Sequence, residues 1–271
     1  MQIGILAGSG ELPVVIAADA RERGYKVVTV ALENLASENL ADASDVIKWI
    51  NPGRLGEMID TFRDNGIVEA VMAGKVPKAL LYKSKIIPDM RAVKLLFSLK
   101  GRGDNAILEA ISNEFGKDGI NIINTISFSP HLLTPVGNIT KSAPSDDEWA
   151  DIKYGWPIAK EIGKMDIGQL VVVKGLSVMA VEAVEGTDEA IRRGSRFANG
   201  RAVIVKVSKP QQDLRLDIPA IGVSTIKVMA ESGARVLALE AGRTIIINRS
   251  ELAEEADKLG ISVVGISTDV N

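Results

Sequence analysis

The sequence predicts an α/β protein of two domains, an N-terminal Rossmann-like parallel sheet and a C-terminal mixed α/β domain. Three observations carry that prediction. Over residues 1–129 short apolar runs alternate with helical patterns, the arrangement of a parallel sheet with helices on its faces. Residues 130–144 then gather Pro130, Pro135, Pro144 and Gly137 into a stretch suited to a linker. Beyond it, over 145–271, apolar pairs and helices mix without a repeat. At 271 residues and 46% apolar content the chain exceeds one average domain and has ample surface to bury.

The elements follow in order. Residues 2–6, 26–30, 46–49 and 68–72 read as strands, with helices over 13–23 and 55–65 between them. A helix over 104–115 and a strand over 120–123 complete the first domain. The second opens on Ser145-Asp146-Asp147-Glu148, a serine three residues before a glutamate, which is the capping box of a helix. Trp149, Ile152, Trp156, Ala159 and Ile162 continue it at helical spacing, and Pro157 should kink it. Residues 170–174 and 176–183, split by Gly175, predict a hairpin-forming pair, and 202–207 a further strand. A helix over 224–232, strands near 236–239 and 244–247, a helix over 250–258 and a last strand over 262–266 close the chain.

Composition removes whole classes of mechanism. With no cysteine and one histidine there is no disulfide framework, thiol nucleophile or histidine-rich zinc site. The histidine, His131, lies between Pro130 and Pro135 and reads as incidental to chemistry. No apolar run approaches a membrane span and no basic leader precedes an apolar core, so the expected location is cytoplasmic. The formal net charge of −3 argues against a nucleic-acid partner. That charge is uneven: residues 75–102 hold eight lysines and arginines against Asp89 alone. Leu80, Leu81, Tyr82, Ile86, Ile87, Leu95, Leu96 and Phe97 interleave them. The segment reads either as a solvated face over an ordinary core or as an apolar groove with a cationic rim for anionic lipid.

Four segments could carry chemistry. Gly8-Ser9-Gly10 follows a strand and precedes a helix, so its amides could cradle a phosphate. As a dinucleotide fingerprint it fails, because the third glycine position is Pro13. A tight turn without ligand explains the same glycines. Gly74-Lys75-Val76, at the end of the fourth strand, should face the same crevice, with Lys75 a phosphate partner or a surface charge. Two polar runs follow, residues 181–188 with Glu182, Glu185, Thr187 and Asp188, and residues 212–219 with Gln212, Asp213, Arg215 and Asp217. Thr187 by itself suits an N-cap. The acids beside it need a positive partner, either Arg192 and Arg193 or a magnesium ion with substrate phosphates. Asp217, before Ile218-Pro219, belongs on an outward turn as a cap, a partner for Arg215 or a functional acid.

These runs together resemble the UDP-2,3-diacylglucosamine pyrophosphatases of the LpxI type, enzymes of lipid A biosynthesis. The resemblance covers nearly the whole chain. It includes Gly4-Ile5-Leu6-Ala7-Gly8-Ser9-Gly10-Glu11-Leu12-Pro13, Ala73-Gly74-Lys75-Val76, Gly103-Asp104-Asn105-Ala106 and Asp166-Ile167-Gly168-Gln169. It continues through Glu185-Gly186-Thr187-Asp188, Gln212 to Gly222 and Glu240-Ala241-Gly242-Arg243. Each is weak alone; their order is specific. One departure is Asn105, where a second acid is expected.

The resemblance implies hydrolysis of UDP-2,3-diacylglucosamine to UMP and 2,3-diacylglucosamine 1-phosphate. It implies Asp217 as the catalytic residue, with Gly8, Ser9, Gly10, Gly74, Lys75, Val76, Thr187, Gln212 and Arg215 binding substrate. A divalent cation, Mg2+ or another such as Mn2+, is expected on Asp217 and Asp188. Expected partners are the lipid-linked nucleotide sugar, the cytoplasmic membrane face by peripheral contact, and further copies of the chain in a homo-oligomer. Two other classes stay open. A nicotinamide-dependent oxidoreductase would share the first domain and use Glu33 on the ribose, and a non-enzymatic nucleotide- or lipid-binding module would not need Asp217. Cofactor absorbance and metal-stimulated UMP release separate them.

Overall fold

The computed structural model describes residues 1–76, 86–99 and 104–267, with the side chains of Asp104 and Asn105 left out. Lys78, Lys83, Lys85, Lys100 and Arg102 of the basic segment, with Leu80, Leu81 and Tyr82 among them, and Gly103 of the family pattern lie outside the described residues, as does the side chain of Asn105. The chain divides into two compact units, Met1–Pro130 with Asp213–Asp217, and His131–Gln212 with Ile218 onward.

The first unit is the predicted parallel sheet. Strands β1 (Gln2–Ala7), β2 (Lys26–Leu32), β3 (Val46–Ile50), β4 (Glu69–Ala73) and β5 (Asn121–Ile122) run in the order β3-β2-β1-β4-β5. All neighbours pair in parallel. The near-unbroken apolar runs of β1 and β2 are what a sheet covered on both faces demands. Helices α1 (Leu12–Glu22), α2 (Leu40–Ala43), α3 (Leu55–Asp64), α4 (Met90–Ser98) and α5 (Asp104–Gly116) supply the cover. Phe62 of α3 and Phe115 of α5 are fully buried, their ring centroids 5.9 Å apart, in a core with Leu6, Val28 and Met72. Leu216, contributed from far along the chain, is buried in the same core. That residue holds the segment Asp213–Asp217 to the first unit.

The second unit is mixed α/β. Strands β6 (Gly137–Asn138), β7 (Leu170–Val173), β8 (Val178–Val181), β9 (Val203–Lys206), β11 (Val236–Glu240) and β13 (Ser262–Ile266) form one sheet in the order β6-β13-β11-β9-β7-β8. β9, β11 and β13 are parallel, and β7 runs antiparallel to both β8 and β9. A second, two-stranded sheet pairs β10 (Ala220–Ile221) with β12 (Ile245–Ile246). The proline-rich stretch over 130–144 is itself built in, with a 3-10 turn at Pro130–Leu132 and β6 on the edge of β13.

Helices α6 (Asp146–Lys164) and α7 (Thr187–Phe197) cover opposite faces of that sheet. A Cβ placed on Gly155 of α6 would stand 2.8 Å from Val173, and one on Gly194 of α7 2.6 Å from Val172. Adjacent strand residues point to opposite faces, so each glycine marks where one helix meets its own side. The capping box of α6 is formed, with Ser145 accepting from the Glu148 amide and Glu148 from the Ser145 amide. Pro157 lies inside α6, which continues past it to Lys164. Helices α8 (Val223–Glu231) and α9 (Arg249–Lys258) complete the α7 side of the core. No helix among the described residues is long and apolar enough to cross a membrane.

Candidate active site

The strand order of the first unit determines where a ligand can enter. From β1 the sheet grows through β2 to β3 on one side and through β4 to β5 on the other. Where an open parallel sheet reverses in this way, ligands bind outside the carboxyl ends of the central strands. The loops leaving β1 and β4 are the ones that carry Gly8, Ser9 and Gly10, and Gly74, Lys75 and Val76.

These loops are joined to each other. Gly8 N donates to Ala73 O at 2.8 Å, while Ser9 N to Lys75 O and Lys75 N to Ser9 O are both 2.9 Å. Ser9 Oγ donates to Lys75 O at 2.9 Å as well. A Cβ at Gly8 would meet Lys75 O at 2.7 Å, and one at Gly74, where φ is +88°, would meet Ser9 O at 2.7 Å. Close backbone approach therefore accounts for Gly8 and Gly74. Gly10, at φ +98°, has open space where its Cβ would be, and Lys75 and Val76 are exposed.

The turn bearing Asp217 packs at the same end of this sheet. Thr125, buried, holds its hydroxyl 3.0 Å from Met72 O in β4 and 3.1 Å from Arg215 O. Leu216 N and Asp217 N both donate to Asp213 O, at 2.9 and 3.2 Å. The Asp213 carboxylate accepts from Arg215 N at 3.0 Å, from Arg215 Nε at 3.0 Å and from Nη2 at 2.6 Å. That guanidinium holds the Asp213 carboxyl below the usual aspartate range. The partner of Arg215 is thus Asp213, and Asp217 stands exposed just beyond the turn.

In the second unit the run 181–188 and Gln212 are held by their own partners. The N-cap of α7 is Gly186, at φ +85°, and Thr187 is the first helical residue, so Thr187 is not the cap expected of it. Its hydroxyl donates to Glu182 Oε1 at 2.7 Å and accepts from Lys206 Nζ at 2.7 Å. Lys206 and Glu182 are both buried, with Nζ 4.0 Å from Oε2. The cation that joins Glu182 is therefore Lys206 rather than Arg192 or Arg193. Arg193 pairs with Glu185 at 2.5 Å and Arg192 with Glu189 at 2.5 Å. Glu185 is held below its ordinary range first by its own backbone amide and then by Arg193. Asp188 lies in the first turn of α7, where negative charge meets the positive end of the helix dipole. Gln212, buried, accepts from Lys209 N at 3.1 Å and from Ser208 Oγ at 3.2 Å.

The structure therefore brings Gly8 to Gly10, Gly74 to Val76, Arg215 and Asp217 into the first unit, and places Thr187, Asp188 and Gln212 in the second. Lys206 and Thr125 were not among the predicted site residues. A lysine that ends an otherwise apolar strand and a threonine two residues past a buried strand are weak signals.

Two family models match this chain, the LpxI N-terminal domain over residues 2–132 and the LpxI C-terminal domain over residues 135–264. A UDP-2,3-diacylglucosamine pyrophosphatase LpxI from Caulobacter vibrioides is 35% identical over 98% of this chain and 97% of its own length. A formate-dependent phosphoribosylglycinamide formyltransferase from Aliivibrio fischeri is 24% identical over 72% of this chain and 54% of its own. The solved structure of phosphoribosylglycinamide synthetase from Anaerococcus prevotii aligns with 73% of this chain and 42% of that one, at 14% identity and a TM-score of 0.25.

Proposed function

The chain belongs to the LpxI family, and from that premise we propose that it hydrolyses the pyrophosphate of UDP-2,3-diacylglucosamine to UMP and 2,3-diacylglucosamine 1-phosphate, a step of lipid A biosynthesis, with Asp217 as its catalytic carboxylate. One observation beyond family membership supports the assignment of the residue. The turn carrying Asp217 leaves its chain neighbours to pack in the first unit, at the strand end where the loops of β1 and β4 meet.

Splitting a phosphoanhydride with water requires charge neutralisation and positioning more than a strong base. Asp217, exposed just beyond the Asp213–Arg215 pair, orients and deprotonates the attacking water or holds a divalent cation. Lys75 contributes positive charge toward the phosphates, and Gly10 leaves room for backbone approach. Gly8 and Ser9, spent on Gly74 and Lys75, shape the loop pair. Thr187 and Gln212 hold the local frame of the second unit.

The divalent cation belongs to the same proposal. Among the described residues no group of three or more histidines or carboxylates comes together as a metal cage. Mg2+ does not need one, since it keeps several waters and binds through one or two carboxylates plus substrate phosphates. Asp217 fits that mode as a single hard oxygen donor. When bound, the ion would neutralise charge on the pyrophosphate. Contact with the cytoplasmic face of a membrane and self-association are part of the same reading, the first because a diacylated substrate resides in lipid.

The experiment is UMP release from UDP-2,3-diacylglucosamine by the purified protein, with and without divalent cation. Absence of UMP under both conditions would remove the proposal, and a reduced-nicotinamide absorbance change would replace it with an oxidoreductase.

A further inference from the structure

Helix α4 turns an apolar face to solvent. Ala92 and Leu95 enter the core of the first unit, and Arg91 is tied down by Glu114 and Asp118. On the outer side Ile87, Met90 and Phe97 are 58%, 71% and 88% exposed, and Leu96 is 45% exposed. Met90, Lys94 and Phe97 recur at four- and three-residue spacing, so they form one stripe along the helix, with Ile87 at its entry. Single exposed apolar residues are ordinary on any surface; a group of them on one short helix marks a contact face.

Charge says what the face contacts. Lys94 stands exposed within the stripe. The surrounding sequence 75–102 holds eight basic residues and one acid, in a chain whose net charge is −3. That acid, Asp89, is turned to the backbone, accepting from Ala92 N at 2.8 Å and Gly56 N at 2.6 Å. Apolar side chains with lysine among them are the makeup of helices that lie in a lipid interface, where the lysine stem packs with the apolar layer and its ammonium reaches the headgroups. Basic segments are drawn to anionic leaflets. A second copy of the chain fits less well, because a two-fold contact through this stripe would set Lys94 against its own copy.

We infer that the outer stripe of α4, Met90, Lys94 and Phe97, with Ile87 at its entry, docks this protein on an anionic phospholipid surface. The inference rests on the proposed function only in that a diacylated substrate would be drawn from such a surface. Its test requires no turnover.

Vesicles of phosphatidylethanolamine with phosphatidylglycerol, and vesicles of phosphatidylcholine alone, are floated with the full chain. The wild-type protein is expected to float with the anionic vesicles, less as salt rises, and to bind neutral ones more weakly. The double variant Met90→Ser, Phe97→Ser should lose binding by at least about tenfold, since two side chains no longer leave water. Because both positions are exposed, its thermal melting should match the wild type. Lys94→Glu should weaken binding to anionic vesicles alone. Phe97→Trp should show a blue-shifted emission on anionic vesicles.

Wild-type protein that floats with neither vesicle, a double variant that binds as well as wild type, or Phe97→Trp emission unmoved by vesicles would each overturn the inference. So would a wild-type dimer that Phe97→Ser converts to monomer without any vesicle binding. Hydrolysis of substrate in detergent micelles, measured on the same preparations, should be unchanged in the stripe variants. Vesicle binding without any such hydrolysis would uphold the docking face and remove the proposed substrate.

Discussion

The hydroxyl of Thr125 reaches the carbonyl of Arg215 across 90 residues of sequence, at 3.1 Å, while lying 3.0 Å from Met72 O in β4. Thr125 is buried, and its hydroxyl has one proton to share between the two carbonyls. It thereby ties the turn before Asp217 to the strand that ends at Ala73. Leu216, buried in the first core, supplies the apolar half of the same attachment.

Thr125→Val removes that donor while keeping the volume. A buried carbonyl left without a partner costs about 1–3 kcal/mol, so urea denaturation should detect the loss. If the tie serves the position of Asp217, kcat should fall by about tenfold or more with a smaller change in KM, and Thr125→Ser should recover most of it. Loss of stability with kcat intact would confine Thr125 to the fold.

In the second unit Lys206 and Glu182 are buried together around the Thr187 hydroxyl. Removing one charge of such a pair strands the other, at a cost of about 3–5 kcal/mol. Lys206→Met should therefore unfold at markedly lower urea. Adding Glu182→Gln should restore much of the difference, because the amide still reaches Thr187 without a buried charge. If the double variant is no more stable than Lys206→Met, charge pairing is not what makes Lys206 necessary.

A pH dependence follows from Arg91. Its hydrogen bond to Asp118 is the first cause that holds that carboxyl below the ordinary aspartate range, and Glu114 is held below the ordinary glutamate range first by Lys117 and then by Arg91. Groups depressed on folding stabilise above their unfolded values, and the contribution is lost as pH falls through the folded ones. Arg91→Gln should thus be less stable than wild type at neutral pH, with the gap closing as the pH falls below the ordinary carboxylate range and through the lowered folded values. A gap of constant size over that range would show that Arg91 acts through packing alone.

How legible this was depended on whether the cause lay nearby in the sequence. Apolar runs such as Val203–Lys206 and the Ser145–Glu148 capping box carry their reasons locally, and both form where expected. Helix α4 escaped because Arg91 and Lys94 read as one basic segment, whereas packing sends Arg91 to Glu114 and Asp118 and leaves Lys94 in solvent. Nothing in the sequence near Lys206 marks it out, since only its tertiary placement against Glu182 buries it. Likewise one leucine, Leu216, decides which unit holds Asp217, and nothing in its neighbours announces that choice.

Exhaustive chelation should stop UMP release, and Mg2+ or Mn2+ should restore it, because the pyrophosphate needs a counter-ion beyond Lys75 and Arg215. Thermal melting should barely move on chelation, since a cation held by Asp217 with water and substrate phosphates would contribute little to the unliganded fold. Full turnover in metal-free buffer would assign the neutralisation to the protein's own cations.

The central claim is that Asp217 performs chemistry from the end of the first sheet. It is tested most directly by turnover of UDP-2,3-diacylglucosamine by Asp217→Asn, which keeps size and exposure but removes the charge. The account predicts a fall in kcat of about 10²-fold to 10⁴-fold or more, with melting unchanged and substrate or product still bound. An Asp217→Asn protein that releases UMP at more than about a tenth of the wild-type rate would contradict it.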